Sequence, residues 1–338
     1  MTHSQAHSRR TQKRRAPALV AGLFAAAGCA SLFAPDASAQ TYPTRSVRVV
    51  VAAPAGGLTD VVARSISQFL QERLKQSFVV ENISGASNTI GATNVARSAA
   101  DGYTLLVNPS LFIITPLLMK TPYDPVKDFT PVSNVGNVPL AFSIDPRLPM
   151  KTVQDFIAAA KAKPDGMSWA IEGIGAVGHL TVERLQSEGG FKLVQVPYRG
   201  TAPALIDVIG GRVSAIISPV PNVLQHINAG TLRALAVTTK ERVGLLPDVP
   251  TMQESGFRGF EIGSWYGVWG PAGMPKDAVA ILNREISAAM KTPQVTERLV
   301  AQGLVPVGSS SADFAAFIDD EIAKYDKLIK AANIKVGN

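Results

Sequence analysis

Ala53-Pro54-Ala55-Gly56-Gly57-Leu58-Thr59-Asp60 joins an apolar stretch, residues 46–53, to a helical pattern that runs over about residues 59–75. The first stretch is rich in Val and predicts a strand, and the second repeats apolar residues at helical spacing. A glycine pair at this junction lets the backbone approach a ligand, and the free N–H groups of a first helical turn favour a carboxylate or phosphate. The candidate binding residues are Ala55, Gly56, Gly57, Thr59 and Asp60. The alternative is a tight turn that binds nothing.

The N-terminus has the pattern of an export signal. Five Arg and Lys residues between positions 9 and 15 precede an apolar run over residues 16–33, and Ala37-Ser38-Ala39 follows. This order predicts a signal peptide of residues 1–39, cleaved after Ala39, and a periplasmic mature protein. The apolar run is shorter than the roughly 20 residues that span a bilayer. Cys29 leaves a lipoprotein as the alternative.

Charge and cysteine content limit the possible partners. Five of the 33 Lys and Arg and one of the 26 Asp and Glu lie in residues 1–39, which leaves 28 basic against 25 acidic residues. This near balance predicts no nucleic-acid partner. Because Cys29 is the only cysteine of the sequence, the mature chain is predicted to have no disulfide or thiol chemistry.

Strand-like and helical patterns alternate along the mature chain. Strands are predicted at 47–53, 78–82, 103–108, 141–144, 167–171, 193–197, 214–217 and 232–238. Helices are predicted at 59–75, 89–99, 152–162, 177–188, 201–210 and 221–228. The alternation predicts an α/β protein with parallel sheets covered by helices on both faces. The last part, 276–291, 294–302 and 311–332, predicts three helices with no strand between them.

A second glycine-rich turn spans residues 171–179. Gly173, Gly175 and Gly178 fit the G-x-G-x-x-G dinucleotide pattern in the correct strand-to-helix context. The pattern also requires an acidic residue about 20 positions later, which this chain lacks. We therefore favour backbone anion binding at this turn and predict no cofactor.

Catalytic patterns are weak in this chain. His179 and Glu183, four residues apart on one helical face, lack the third protein ligand that a zinc site needs. There is no G-x-S-x-G nucleophile elbow in the sequence. We predict no metal site and a protein that is not an enzyme. An exported hydrolase is the competing class.

A set of short motifs extends over essentially the whole mature chain. They include Tyr42-Pro43, Ala55-Gly56-Gly57, Val80-Glu81-Asn82, Asp101-Gly102-Tyr103-Thr104-Leu105-Leu106, His179-Leu180, Val196-Pro197-Tyr198-Arg199-Gly200, Leu246-Pro247-Asp248-Val249-Pro250-Thr251 and Pro271-Ala272-Gly273. In their order and spacing they resemble the Bug-type solute-binding proteins of tripartite tricarboxylate transporters.

This resemblance implies a periplasmic-binding-protein fold, type II-like, with two doubly wound lobes joined by two crossing strands and a ligand cleft between them. The lobes would comprise residues 40–140 plus 264–338, and 141–263. A small carboxylate would be held by backbone N–H groups of residues 54–60 and 173–179, and the cleft would close by hinge motion. The second-lobe candidates are Gly175, Ala176, Val177 and His179. We expect a monomer that delivers its ligand to membrane transporter subunits.

Two departures from the family pattern bear on the ligand. Ser87 and Asn88 stand where the family usually has glycines, and Ala176 and Val177 stand where it usually offers a Ser or Thr. Apolar contacts and fewer donors favour an aromatic dicarboxylate such as terephthalate, because unpaired polar groups of a buried ligand are costly. Citrate, another aliphatic di- or tricarboxylate, and a sensor role remain alternatives. A further alternative is that Ala176 and Val177 face the protein core and say nothing about the ligand.

Four further residues have two interpretations each. Thr201 opens a predicted helix, where its hydroxyl would cap the helix or contact the ligand. Trp265, Tyr266 and Trp269 would pack the hinge or stack on the ligand. We favour packing for the three aromatic residues.

Overall fold

The computed structural model describes residues 42–163, 166–198 and 200–334, and the predicted signal peptide lies outside them. The strands are β1 (Val47–Val51), β2 (Phe78–Asn82), β3 (Thr104–Pro109), β4 (Phe129–Val138), β5 (Leu140–Ile144), β6 (Ser168–Ile171), β7 (Val194–Pro197), β8 (Ala215–Pro219), β9 (Arg233–Val237), β10 (Ser264–Pro271) and β11 (Val305–Pro306). The helices are α1 (Leu58–Leu74), α2 (Thr89–Ala96), α3 (Leu111–Leu118), α4 (Val153–Ala162), α5 (Val177–Gly189), α6 (Thr201–Ile209), α7 (Val220–Asn228), α8 (Lys276–Ala289), α9 (Pro293–Val300) and α10 (Ser311–Ala331).

The first sheet has the strand order β11-β4-β10-β3-β1-β2. β1 lies parallel to β2 and β3, with Val49 opposite Val80 and Leu105. Val50 packs into one hydrophobic cluster, whereas Val47, Val49 and Val51 pack into another on the opposite face. A continuous run of Val is therefore required here, because helices cover both faces of the strand.

The second sheet has the order β7-β6-β8-β5-β9. β6 lies parallel to β7 and β8, and Trp169 and Ala170 point into clusters on opposite faces. α10 packs against β4 and α3 and also against α5, so the long C-terminal helix contacts elements of both sheets.

The prediction of parallel sheets is wrong, because both sheets are mixed. β10 is antiparallel to β3 and β4, and β5 is antiparallel to β8 and β9. β4 and β5 are separated by Pro139 alone, so one extended stretch leaves the first sheet and enters the second. A strand that passes directly between sheets has no crossover helix to return it to parallel alignment.

Other differences concern elements without a clear period. The C-terminal region contains a short strand, β11, between α9 and α10, where we expected none. β4 and β10 contain Gly and Pro, and α3 is apolar on nearly every side with Pro116 inside it. Periodicity does not distinguish such segments from loops or strands, so the sequence assigned none of the three.

The two glycine-rich turns occupy equivalent places in the two sheets. Residues 52–57 follow the carboxyl end of β1, and residues 172–176 follow that of β6. Ligands of open α/β sheets bind outside the carboxyl ends of parallel strands. In the residues that the structure describes, no helix combines the length and hydropathy needed to cross a membrane.

Candidate ligand-binding site

The first turn presents an open backbone surface. Ala55, Gly56 and Gly57 are exposed, and a Cβ on Gly56 would meet no atom within 4 Å. Gly56 has φ +83°, a left-handed conformation that favours glycine. Gly57 precedes α1 with no side-chain cap, and no hydrogen bond among the described residues uses the N–H groups of Gly57 or Leu58. The positive end of α1 is therefore open toward solvent.

Asp60 braces this turn from within. Its carboxylate accepts hydrogen bonds from Gly56 N at 3.0 Å, Arg64 Nε at 2.9 Å and Asn82 Nδ2 at 3.0 Å. The hydrogen bond from Arg64, and then those from Gly56 and Asn82, lower the pKa of Asp60 against the opposing effect of burial. Asp60 therefore positions the loop; its carboxylate only accepts hydrogen bonds and has no donor to offer an anion.

Thr59 connects the first turn to β10. Thr59 is buried, and its side chain lies near the Tyr266 hydroxyl. Burial raises the pKa of the Tyr266 hydroxyl to about 12, and the contact with Thr59 partly opposes that rise. Because β10 lies between β3 and β4, this contact ties the loop to the strand by which the chain returns to the first sheet.

Ser87 and Asn88 lie where α2 begins. Ala86, Ser87 and Asn88 have φ angles of 45°, 52° and 71°, three successive left-handed residues without glycine. Asn88 Nδ2 donates to Asn108 Oδ1 at 3.3 Å, whereas Ser87 is exposed. The Asn88 amide is thus directed toward β3, and the Ser87 hydroxyl faces solvent.

The second turn is braced by His179. Gly175, with φ +79°, donates its N–H to His179 Nδ1 at 2.9 Å, and Ala176 N donates to Gly173 O at 3.1 Å. These two N–H groups are therefore already engaged. Ala176 precedes α5 without a side-chain cap, and within the described residues no hydrogen bond uses the N–H groups of Val177 or Gly178.

The His179 ring has a second partner in Glu183. Nε2 lies 3.7 Å from Glu183 Oε1, and His179 is the main cause of the lowered pKa of Glu183. Gln195 also donates to Glu183. Among the described residues, no three His, Cys, Asp or Glu side chains are grouped so that they could hold a metal ion.

The apolar residues of the second turn differ in their surroundings. Val177 packs against the main core cluster, Ala176 is half-buried, and Ile174 is 51% exposed. A Cβ on Gly175 would clash with Leu118 of α3, and one on Gly178 would clash with the carbonyl oxygen of Ile217. Gly178 therefore serves the packing of α5 on β8, and Gly175 lies against an element of the first sheet.

Glu172 is a site residue that the sequence reasoning missed. Its Oε2 accepts hydrogen bonds from Thr201 Oγ1 and Ser218 Oγ, both at 2.7 Å. Burial raises the pKa of this carboxyl, and the two hydroxyl groups oppose the rise. The sequence did contain a signal for Glu172, because an acidic residue is unexpected inside a turn that is predicted to bind an anion. Thr201 does not cap α6, because Gly200 is the N-cap residue and no side chain caps it.

Comparison with known proteins identifies the family. A family model described as "Tripartite tricarboxylate transporter family receptor" matches residues 62–334. The chain belongs to this receptor family. Its members are solute-binding proteins rather than enzymes, and its fold is that of periplasmic binding proteins.

Three proteins similar to this chain are particularly informative. The chain is 39% identical to protein BugT of Bordetella pertussis over 320 residues, covering 94% of this chain and 97% of BugT. It is 38% identical to R. palustris Rpa4515, solved with adipate, with a TM-score of 0.75 and coverage of 87% and 99%. It is 32% identical to MatC from Rhodopseudomonas palustris, solved with bound malate, with a TM-score of 0.70 and coverage of 85% and 100%.

Trp265 and Trp269 are packing residues, as predicted, whereas Tyr266 is half-buried beside the other hydrophobic cluster of the first sheet. Trp269 is fully buried, and Trp265 is 2% exposed and donates from Nε1 to Glu321 Oε2 at 3.0 Å. Trp265 and Trp269 both pack against Phe314 of α10. Neither indole is available to stack on a ligand.

Two cavities lie along α5 of this receptor, and one of them includes residues of the second turn. One of about 290 Å³ is lined by His179, Glu183 and Gln195 together with the end of the described chain. A larger one, about 810 Å³, lies between α5 and α10. Neither is lined by residues 54–60.

Proposed function

We propose that this receptor binds a small dicarboxylate between its two glycine-rich turns and delivers it to a membrane transporter. The observation that carries this proposal is the pair of uncapped helix N-termini, α1 and α5, each at the carboxyl end of a parallel strand. Unpaired N–H groups and the helix dipole together favour a carboxylate at each terminus. Side chains cap only α4 and α10 among the described helices, so α1 and α5 are distinguished by the glycine-rich turns before them and not by the missing cap alone.

The contacts are assigned to backbone N–H groups. In the first turn they are those of Gly57, Leu58 and Thr59, with Ala55 and Gly56 shaping the approach. In the second they are those of Val177 and Gly178, since the N–H groups of Gly175 and Ala176 are engaged. Asp60 and His179 hold the two turns, and Ser87, Asn88 and Thr201 border the ligand.

The ligand class we favour is a dicarboxylate with an apolar spacer. Adipate, the molecule named with Rpa4515, and terephthalate both separate two carboxylates by hydrocarbon. Ala176 and the exposed Ile174 offer apolar contact and no hydroxyl at the second turn. Malate, named with MatC, and citrate carry a hydroxyl that would need a further partner.

A thermal-shift screen of the mature protein tests the binding proposal. Adipate, terephthalate, malate and citrate are compared, because a ligand that binds only the folded state raises its melting temperature. We expect adipate or terephthalate to give the largest increase. A larger increase with citrate or malate contradicts the spacer argument alone, whereas no increase with any of the four contradicts dicarboxylate binding.

The two lobes are proposed to be residues 40–140 plus 264–338, and residues 141–263, closing as a hinge around the ligand in a monomer. Small-angle scattering with saturating adipate should give a smaller radius of gyration and a monomeric mass. An unchanged radius would contradict closure by this ligand.

Export and delivery are tested in cells. Mass spectrometry of the periplasmic protein should give a chain that begins at Gln40, and a lipid-modified Cys29 would establish the lipoprotein alternative. Deletion of the gene should abolish high-affinity uptake of the identified ligand. Unchanged uptake, with loss of a transcriptional response to that ligand, would establish a sensor role instead.

A further inference from the structure

Glu172 stands at a position where a carboxylate is unexpected. It follows β6 and opens the second turn, next to the N–H groups proposed to receive the ligand. A Cβ on Gly178 would lie 3.4 Å from Glu172 Oε1, so this oxygen faces the first turn of α5. An ionised Glu172 would repel a ligand carboxylate held there.

The hydrogen bonds of Glu172 distinguish its two oxygens. Oε2 accepts from both Thr201 and Ser218, whereas Oε1 takes part in no hydrogen bond among the described residues. An oxygen that accepts two hydrogen bonds has both lone pairs engaged. In the protonated carboxyl the hydrogen therefore resides on Oε1, and the structure offers this donor no acceptor within the same residues.

The surroundings contain no described cation paired with Glu172. The titratable groups on the neighbouring elements are Tyr198 after β7, Asp207 of α6, His226 of α7, and His179, Glu183, Arg184 and Glu188 of α5. Arg184 pairs with Glu188 and not with Glu172. His179 contacts Gly175 and Glu183, and Asp207 contacts Tyr198 and Arg212. Arg199 lies outside the described residues. Burial accordingly raises the pKa of Glu172, which favours the neutral acid.

We propose that Glu172 is a specificity-determining residue that donates a hydrogen bond from Oε1–H to one carboxylate of the bound dicarboxylate. This inference rests on the proposed function and adds to it a donor that no backbone group supplies. A neutral carboxylic acid kept protonated by its environment can act as such a donor. Its ionisation removes the donor and adds repulsion, so affinity should fall as the pH rises.

The test is calorimetric titration of the mature protein with adipate between about pH 6 and about pH 9, with E172Q, E172A and the exposed control E297Q. Loss of one hydrogen bond to a charged group corresponds to at least about a tenfold change in affinity. Wild type and E297Q should therefore lose at least about tenfold in affinity across this range. E172Q should keep the low-pH affinity throughout, because its amide donates without titrating, and E172A should bind weakly at every pH.

A second measurement separates this role from a purely structural one. In buffers of different ionisation enthalpy, wild type should take up a proton on binding adipate at the upper end of the range, and E172Q should not. A flat wild-type profile, or an equal pH dependence in E172Q, overturns the inference while leaving dicarboxylate binding intact. Absence of binding by adipate, terephthalate, malate and citrate alike overturns the proposed function and, with it, this inference. Should E172Q fail to fold, the proton uptake of wild type still decides.

Discussion

The two glycine-rich turns are each held by a hydrogen bond from a glycine N–H to a side chain, and this bond is called the brace of the turn. The accepting side chain differs between the two turns. In each, a left-handed glycine donates its N–H to a side chain four residues later, Gly56 to Asp60 and Gly175 to His179. Asp60 is a carboxylate held by Arg64 and Asn82, whereas the acceptor in the second turn is an imidazole nitrogen. The difference shows that the brace requires an acceptor at the fourth position and not a particular charge.

The turns also differ in what lies in front of them. Gly56 faces open space, whereas Gly175 lies against Leu118 of α3, the helix that follows β3 of the first sheet. The first turn therefore offers the less obstructed backbone surface, and the second is already in contact with the opposite side of the molecule. Substitutions of the exposed glycines Gly56 and Gly57 should consequently act on binding, whereas substitutions of Gly175 should act on binding and folding together.

The largest effect is expected from Gly57→Val. Gly57 has φ −78°, which any residue adopts, and a Cβ would meet only Pro54 O at 3.7 Å. The variant should therefore fold, but its side chain would cover the N–H groups of the first turn. Losing two hydrogen bonds to a carboxylate at roughly 1.5 to 3 kcal/mol each weakens adipate binding more than about a hundredfold.

Gly244→Val is the matched control, because a Cβ on that glycine meets no atom within 4 Å and the added side chain is the same. Calorimetry on both variants, with circular dichroism to establish folding, gives the comparison. Undiminished affinity in Gly57→Val would remove the first turn from the site.

The second effect compares the two braces directly. Asp60→Ala removes three hydrogen bonds to a charged acceptor and should lower the free energy of unfolding by about 2 to 3 kcal/mol. His179→Ala removes one neutral acceptor of a buried turn and should lower it by about 1 to 2 kcal/mol. Urea unfolding measures both, with the exposed Asp320→Ala as control, expected within about 0.5 kcal/mol of wild type. Equal values for both braces would mean that the charge of Asp60 adds nothing.

The third effect is a pair of opposite pH dependences. The lowered pKa of Asp60 contributes stability that is present above about pH 4 and is lost as the pH falls through the folded-state pKa. The raised pKa of Glu172 contributes stability that is lost as the pH rises from about 4.3 through its folded-state pKa. Asp60→Asn should therefore flatten the acid side of the stability profile, and E172Q the side of rising pH. The free energy of unfolding of both variants is measured from about pH 3 to about pH 9. If both substitutions change its pH dependence in the same direction, the opposite pKa shifts of Asp60 and Glu172 are contradicted.

The smallest effect is expected from Ala176→Ser. Ala176 is the N-cap residue of α5, so a Ser hydroxyl there would accept a hydrogen bond from a free N–H in the first helical turn of α5. The unliganded protein should gain about 1 kcal/mol in the free energy of unfolding. Affinity for adipate should fall, because the cap competes with the carboxylate for the same donors. A gain in stability with unchanged affinity would place the ligand away from these N–H groups.

The sequence by itself determined the elements with strong local signals. The Val-rich strand before residues 54–60, the amphipathic α1 and the glycine-rich turn before α5 were located within one or two residues, because periodicity and glycine placement are local properties. The motifs spread along the chain also identified the family, which the family model then confirmed. The lobe boundaries and the individual binding residues stay predictions.

Only the tertiary structure decided how distant segments meet. β4 and β10 pair antiparallel across the first sheet, and no local pattern shows the direction in which a strand enters a sheet. Glu172 accepts hydrogen bonds from Thr201 and Ser218, residues 29 and 46 positions away. Both bonds go to Oε2, so the two carboxyl oxygens differ in their hydrogen bonding. The same holds for the N–H groups of Gly175 and Ala176, which the sequence assigned to the ligand and the fold pairs internally. Residue types show which groups can bind an anion, but which of them remain unpaired depends on the contacts that folding brings together.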